Sequence, residues 1–445
     1  MIVTAMFRPL PRLAAVLGFS LLSAFALPGA AGAVEIKEIT SPGGIRAYLV
    51  EDYTNPLVAV NFAFKGAGSA ADPAGKEGTA NLLTGLLDEG AGDIESRAFQ
   101  DKVDELGIGL SFDASYDNFT GSFRTIVENE DEGFDLLRLA LNRPRFDREP
   151  LERIRGQIMT GILANENDPG DLLTKAWRRT TFPDHPYSRP QEGTKETLAA
   201  IGREDLQRFR DKGFARDNLV VGVVGAIDAE ALGAELDRVF GTLPAKAELP
   251  KVADVTPTLA RREAVALDVP QTLIRFALPG VKRDDKDFFA AYLMNHIFGG
   301  GTFTSRLFQE VREKRGLAYN VGSFLASYDH TAAMTVSTAT RSDKAQDSID
   351  IIKAEMKRLA ATGPTSEELA TAKAFVKGSY AIRNLDSSLA IASTLVGIQL
   401  DDLGIDYINR REALIDAVTL EDVKRVAAQL LGVEPTVVTV GPNGA

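Results

Sequence analysis

Apolar and polar positions along the chain switch repeatedly between a two-residue and a 3.6-residue period. Residues 47–51, 57–64, 110–114, 118–127 and 219–224 read as strands. Residues 78–87, 98–106, 131–141, 150–165 and 204–212 read as helices. A second series follows. Strands are predicted over 273–278, 317–327, 332–338 and 436–440, and helices over 287–298, 304–314, 343–362, 366–383 and 421–431. The ends of the two series match. Glu204-Asp205-Leu206 opens a helix leading into the strand that ends at Gly225, and Glu421-Asp422-Val423 opens one leading into the strand that ends at Gly441. A shared period of about 215 residues points to an ancient duplication.

The expected organisation is two similar domains, 34–243 and 261–445, joined by a linker at 244–260 that carries Pro244, Pro250 and Pro257. The fold class is α+β, each domain a mostly antiparallel sheet packed with helices. A sandwich of two such halves could enclose a chamber.

Composition narrows the chemistry. A chain of 445 residues with 44% hydrophobic and 25% charged residues can bury a large core without covalent staples. The absence of cysteine excludes a disulfide framework, a thiol nucleophile and cysteine-ligated zinc. The formal charge of −12, with no block of Lys or Arg, argues against nucleic acid or an anionic membrane as partner. Residues 1–12 carry only Arg8 and Arg12 as charges. An apolar run at 13–27 follows, then Ala31-Gly32-Ala33. That order is a secretory signal peptide over 1–33, with the mature chain starting near Val34 at a formal charge of −14, exported and most simply periplasmic.

Several stretches resemble the M16 (pitrilysin) peptidase family, including its mitochondrial processing peptidase branch. They are Ala67-Gly68-Ser69, the segment 78–85, His185-Pro186-Tyr187-Ser188-Arg189-Pro190, Phe298-Gly299-Gly300-Gly301 and the long run 305–319. Active members of that family carry H-x-x-E-H, two histidines on one helix face for zinc and a glutamate to activate water. The equivalent positions here start at Asn81 and end at Thr84 and Gly85. None of these three offers an imidazole or a carboxylate. The window for the family's third ligand, a glutamate, holds Thr160, Gly161 and Ile162. The three histidines, His185, His296 and His330, lie in separate segments.

The resemblance also implies what is retained. Active members use an arginine and a tyrosine seven residues apart to contact the substrate carbonyl and the oxyanion formed from it; Arg312 and Tyr319 occupy those positions. The resemblance therefore implies a subunit without zinc of its own. It would complement a homologous partner that bears H-x-x-E-H and the zinc, and would act on peptide substrates. A peptide-holding scaffold, homodimeric in the absence of such a partner, is the alternative. An autonomous enzyme with an unrecognised site is the third reading.

Overall fold

The computed structural model describes residues 35–442. The predicted leader at 1–33 and its cleavage point lie outside them. The first half contains β1 (Lys37–Thr40), β2 (Arg46–Glu51), β3 (Leu57–Lys65), α1 (Thr79–Thr84), the two-residue strands β4 (Gly90–Ala91) and β5 (Ile94–Glu95), and α2 (Ser96–Glu105). It continues through β6 (Gly109–Ala114), β7 (Asn118–Ile126), α3 (Glu130–Asn142), α4 (Arg148–Ala164), α5 (Pro169–Thr181), α6 (Lys195–Ala200), α7 (Arg203–Gly213), β8 (Leu219–Gly225) and α8 (Ala229–Phe240). The second half contains β9 (Arg262–Ala266), β10 (Gln271–Pro279), α9 (Phe288–Asn295), β11 (Ala318–Tyr328), β12 (Thr331–Arg341), α10 (Ala345–Thr362), α11 (Ser366–Asn384), α12 (Ser388–Leu400), α13 (Tyr407–Ala417), α14 (Leu420–Leu431) and β13 (Thr436–Gly441).

Strands of the first half form a sheet in the order β1-β2-β8-β3-β7-β6, those of the second a sheet in the order β11-β12-β10-β13-β9. Directions agree over the five shared positions, β1 being without a counterpart. β3 is antiparallel to β7 and β8, and β10 is antiparallel to β12 and β13. The single parallel pair recurs as β2 with β8 and β9 with β13. Register agrees as well. Phe62 lies between Gly121 and Val221, and Phe276 lies between Val336 and Val437. The mixed α and β architecture expected from the sequence is the one observed.

Each sheet packs one face on its own half's helices. Phe62, Phe64, Phe119, Phe214 and Phe240 build the first core, with Phe64 and Phe214 stacked at 4.2 Å between ring centroids. Phe276, Phe298, Met334, Ile352 and Val437 belong to the second. The opposite faces are covered by an exchange. Helix α5, from the first half, lies over β13, β10 and β9; helix α12, from the second, lies over β8, β3 and β2. The Trp177 indole N–H of α5 donates to the Phe276 carbonyl at 3.2 Å. Reciprocally, Asn61 donates to Leu389 O at 3.0 Å, and Gln399 of α12 donates to Val221 O at 2.8 Å. Neither half thus completes its own sheet packing. The 244–260 stretch is held rather than loose: Val252 and Val255 pack into the junction, and Val255 N donates to His330 O at 2.9 Å.

The His185–Pro190 motif forms part of that junction. The fully buried Tyr187 hydroxyl donates to Asp117 and accepts from His330 N at 3.2 Å, while Asp329 N donates to the other Asp117 oxygen at 3.1 Å. One carboxylate of the first half thus holds the β11–β12 hairpin tip of the second.

Candidate functional site

The segment equivalent to a zinc-binding helix is short. α1 runs for six residues, and Gly85 follows as its C-cap. Its N-terminus is capped from outside by buried Asp72, whose two oxygens accept from Gly78 N at 2.8 Å and Ala80 N at 2.9 Å. Burial pushes the Asp72 carboxyl up to about 7, opposed by those two N–H donors. Asn81 and Thr84 are half-buried, and the Thr84 hydroxyl turns back to donate to Asn81 O at 2.7 Å. A Cβ at Gly85 would stand 3.0 Å from a methyl of Ile154 on α4, so a side chain here requires Ile154 to shift by a few tenths of an ångström. Further along α4, Thr160 and Gly161 are exposed, and the Thr160 hydroxyl is committed to Gly156 O at 2.7 Å. These residues do not fit zinc: the helix offers an amide, a hydroxyl and no side chain where two imidazoles and a carboxylate are needed. Among the described residues, no group of three His, Asp or Glu side chains converges elsewhere.

The histidines are placed for packing. His185 accepts from Tyr187 N at 3.2 Å and its other ring nitrogen meets Ala253 O at 2.8 Å. His296 stacks on Phe375 at 4.9 Å, where burial and nearby Arg383 lower its pKa. His330, half-buried, sits 3.2 Å from Asp254.

Arg312 and Tyr319, by contrast, are brought together. The expected helix from 304 is tighter at its start and wider at its end. A single turn at Thr302–Thr304 precedes it, and Phe308–Glu313 is a π-helical turn in which Lys314 N reaches Gln309 O at 3.0 Å. Gly316, at φ 59°, reverses the chain into β11. The Arg312 guanidinium consequently lies 4.7 Å over the Tyr319 ring and 4.7 Å over the Phe308 ring. Tyr319 is 83% exposed, with its hydroxyl free to meet a ligand. Its strand β11 is the edge of the second sheet, with a register shift between Ala318 and Val321 next to the tyrosine. A phenol on an open strand edge and a guanidinium from the turn beside it can donate together to one peptide carbonyl.

The glycine run 299–301 makes a close contact. It continues α9 as a π-helical turn, and a Cβ on Gly299 would fall 2.5 Å from the Ser323 hydroxyl of β11. Gly299 lets the helix seat against the strand that carries Tyr319, while Gly300 and Gly301 lie against Asn295 and His296 of their own turn. α1 packs on β6, α4 and α7, whereas the Arg312 turn packs on β11 and α10.

Comparison with known proteins agrees with this architecture. Residues 47–195 match the family described as insulinase (peptidase family M16), and residues 200–376 match the peptidase M16 inactive domain. An uncharacterized zinc protease of Streptomyces coelicolor is 27% identical over 433 residues, covering 94% of this chain and 92% of the relative. The non-peptidase homolog YmxG of Helicobacter pylori is 27% identical over 347 residues, 77% of this chain and 79% of that protein. A crystal structure of a peptidase M16 inactive domain from Pseudomonas fluorescens superposes with a TM-score of 0.86 at 26% identity, covering 92% of this chain and 98% of that one. The chain belongs to the M16 peptidase family, as an inactive-type member.

Proposed function

We propose that this chain is the complementing subunit of a two-chain M16-type zinc endopeptidase. The homologous partner carries H-x-x-E-H and the zinc; this chain carries the donors that meet the substrate. One observation supports this above the rest: Arg312 and Tyr319 are stacked together and open to ligand, while α1 offers no zinc donor. Tyr319 O–H and Arg312 N–H donate to the scissile carbonyl, and their bonds strengthen as that oxygen gains charge. The chain is exported, with its mature start near Val34. No helix among the described residues is long and apolar enough to cross a membrane.

The test is reconstitution with such a partner. Tyr319→Phe should lower kcat roughly 10²–10³-fold, the scale of one lost oxyanion donor, with the complex intact by gel filtration. Arg312→Ala should also raise KM. Wild-type rates from an intact double variant would overturn the proposal. The chain alone should hold no stoichiometric zinc. Asn81→His with Gly85→His should not restore it, since the third ligand is still missing and Ile154 must move. A second reading, peptide holding without hydrolysis, is favoured by the free edge of β11 alone. Peptide binding unaffected by Arg312→Ala and Tyr319→Phe would put it ahead.

A further inference from the structure

Arg275 lies in the middle of β10, on the face that α5 partly covers. Its neighbours on that face, Leu273, Ala277, Val438 and Val440, are apolar. An arginine in such a setting is expected to meet a carboxylate. Among the described residues none pairs with it. One guanidinium nitrogen donates to the Thr174 hydroxyl of α5 at 3.0 Å, and Nε is buried without a partner. Arg178, one turn further along α5, is also without a carboxylate partner. It lies over the Tyr116 ring at 4.2 Å, and its charge reaches Arg275. Burial and Arg178 together lower the Arg275 pKa.

The register places two more unpaired groups beside it. Ser337 on β12 stands directly opposite Arg275, and Thr335 is its neighbour on the same face. The hydroxyls of both are buried without a hydrogen-bond partner, and Thr335 is 1% exposed. Next in line, on edge strand β11, come Gly322 opposite Ser337 and the half-exposed Phe324 opposite Thr335. Unpaired buried donors with two like charges are costly, and the cost is relieved by one anion.

We infer that Arg275, Arg178, Ser337 and Thr335 form a subsite for one carboxylate of a bound peptide, either its free C-terminus or an Asp or Glu side chain. This rests on the peptide-binding reading above. Strand geometry puts Arg275 about 14 Å from Tyr319, two strands across and three residues along, so the carboxylate lies about four residues from the carbonyl held by Tyr319. Phe324 offers the residue beside the carboxylate an apolar surface.

The experiment uses the chain alone and short extended peptides. One has a free C-terminus, one an amidated C-terminus, and two amidated ones carry a Glu or a Gln at graded positions. Binding is followed by calorimetry and by the fluorescence of Trp177, the single tryptophan, whose indole bonds to the residue after Arg275. Carboxylate-bearing peptides should bind at least about tenfold more tightly than their neutral counterparts, and Arg275→Gln should erase that difference. The free-terminus and Glu arms identify which carboxylate is used. Arg312→Ala with Tyr319→Phe should weaken all peptides alike, so failure of the functional proposal reads separately. A second measurement needs no peptide. Arg275→Met should leave the free chain's Tm unchanged or raised, as expected when an unpaired charge is replaced. Equal affinity for charged and neutral peptides, no binding of any peptide, or a Tm lowered by several degrees in Arg275→Met would each overturn the inference.

Discussion

The two halves share strand order, direction and register, yet their exchanged helices sit on the sheets differently. In the first sheet, three neighbouring positions on the covered face are Ser122, Asn61 and Gly222; in the second, the same register holds Ser337, Arg275 and Val438. Gly222 allows close approach of α12: a Cβ there would fall 2.5 Å from Ala392 O and 2.8 Å from the Leu395 Cβ. Asn61 then reaches a helix carbonyl, and the contact is complete. Val438 does not allow that approach, and the longer Arg275 bridges to a side chain of α5 while keeping a donor spare. One copy of the duplicated unit has used this face for cohesion. The other keeps polar groups unspent on the same sheet as Tyr319.

This contrast can be broken by measurement. The largest effect is expected from Gly222→Val, which gives the first sheet the residue of the second. It forces α12 off and should cost about 3 kcal/mol or more in urea unfolding. Val438→Ala, its counterpart, removes two methyl groups and should cost less, about 1–2 kcal/mol. Equal losses would show that the two helices are held alike. Next comes the junction. Tyr187→Phe leaves buried Asp117 short of one donor and should cost about 2 kcal/mol, since the hydroxyl also accepts from the opposite half. A loss near zero would mean that the halves cohere through α5 and α12 alone.

The smallest signal is a slope with pH. The folded carboxyl of Asp72 titrates near 7, above its ordinary 3.8. Between these values the native state holds a proton that the unfolded chain has released, so this group's contribution to stability falls as pH rises from about 4 to about 7. Asp72→Asn should flatten that fall in parallel urea titrations. Identical slopes would show that Asp72 stays ionised at the head of α1, on the strength of the Gly78 and Ala80 donors.

Much of the fold was legible in the sequence because its elements obey one local rule each. The alternating strands and the amphipathic helices α10, α11 and α14 fall close to their expected bounds, and the match of β8 with β13 exposed the repeat. The exchanged helices escaped notice for a physical reason. α12 reads Ser-Leu-Ala-Ile-Ala-Ser-Thr-Leu-Val-Gly-Ile-Gln-Leu with no polar face, since it is enclosed on most sides, and periodicity cannot identify such a segment. α5 did leave a signal: Asp168 caps it, accepting from Asp171 N at 2.9 Å, with Pro169 in the first turn. The pairing of Arg312 with Tyr319 was readable through the family motif, though the π-helical turn that produces it was not. Arg275 was invisible as a candidate because a polar residue in an alternating strand normally faces water. Only a helix arriving from a hundred residues earlier covers it.

The exchange also orders events in time. Asn61 meets Leu389 across 328 residues of sequence, so the first sheet stays bare on one side until nearly the whole polypeptide has been made. Closing so wide a loop adds little to the equilibrium cost, which grows only with the logarithm of its length, but it delays completion. An early fragment ending at the linker would present an uncovered β-surface, sticky toward other copies. A finished molecule nicked within 244–260 would still migrate as one particle, because each piece keeps a helix clasped by the other.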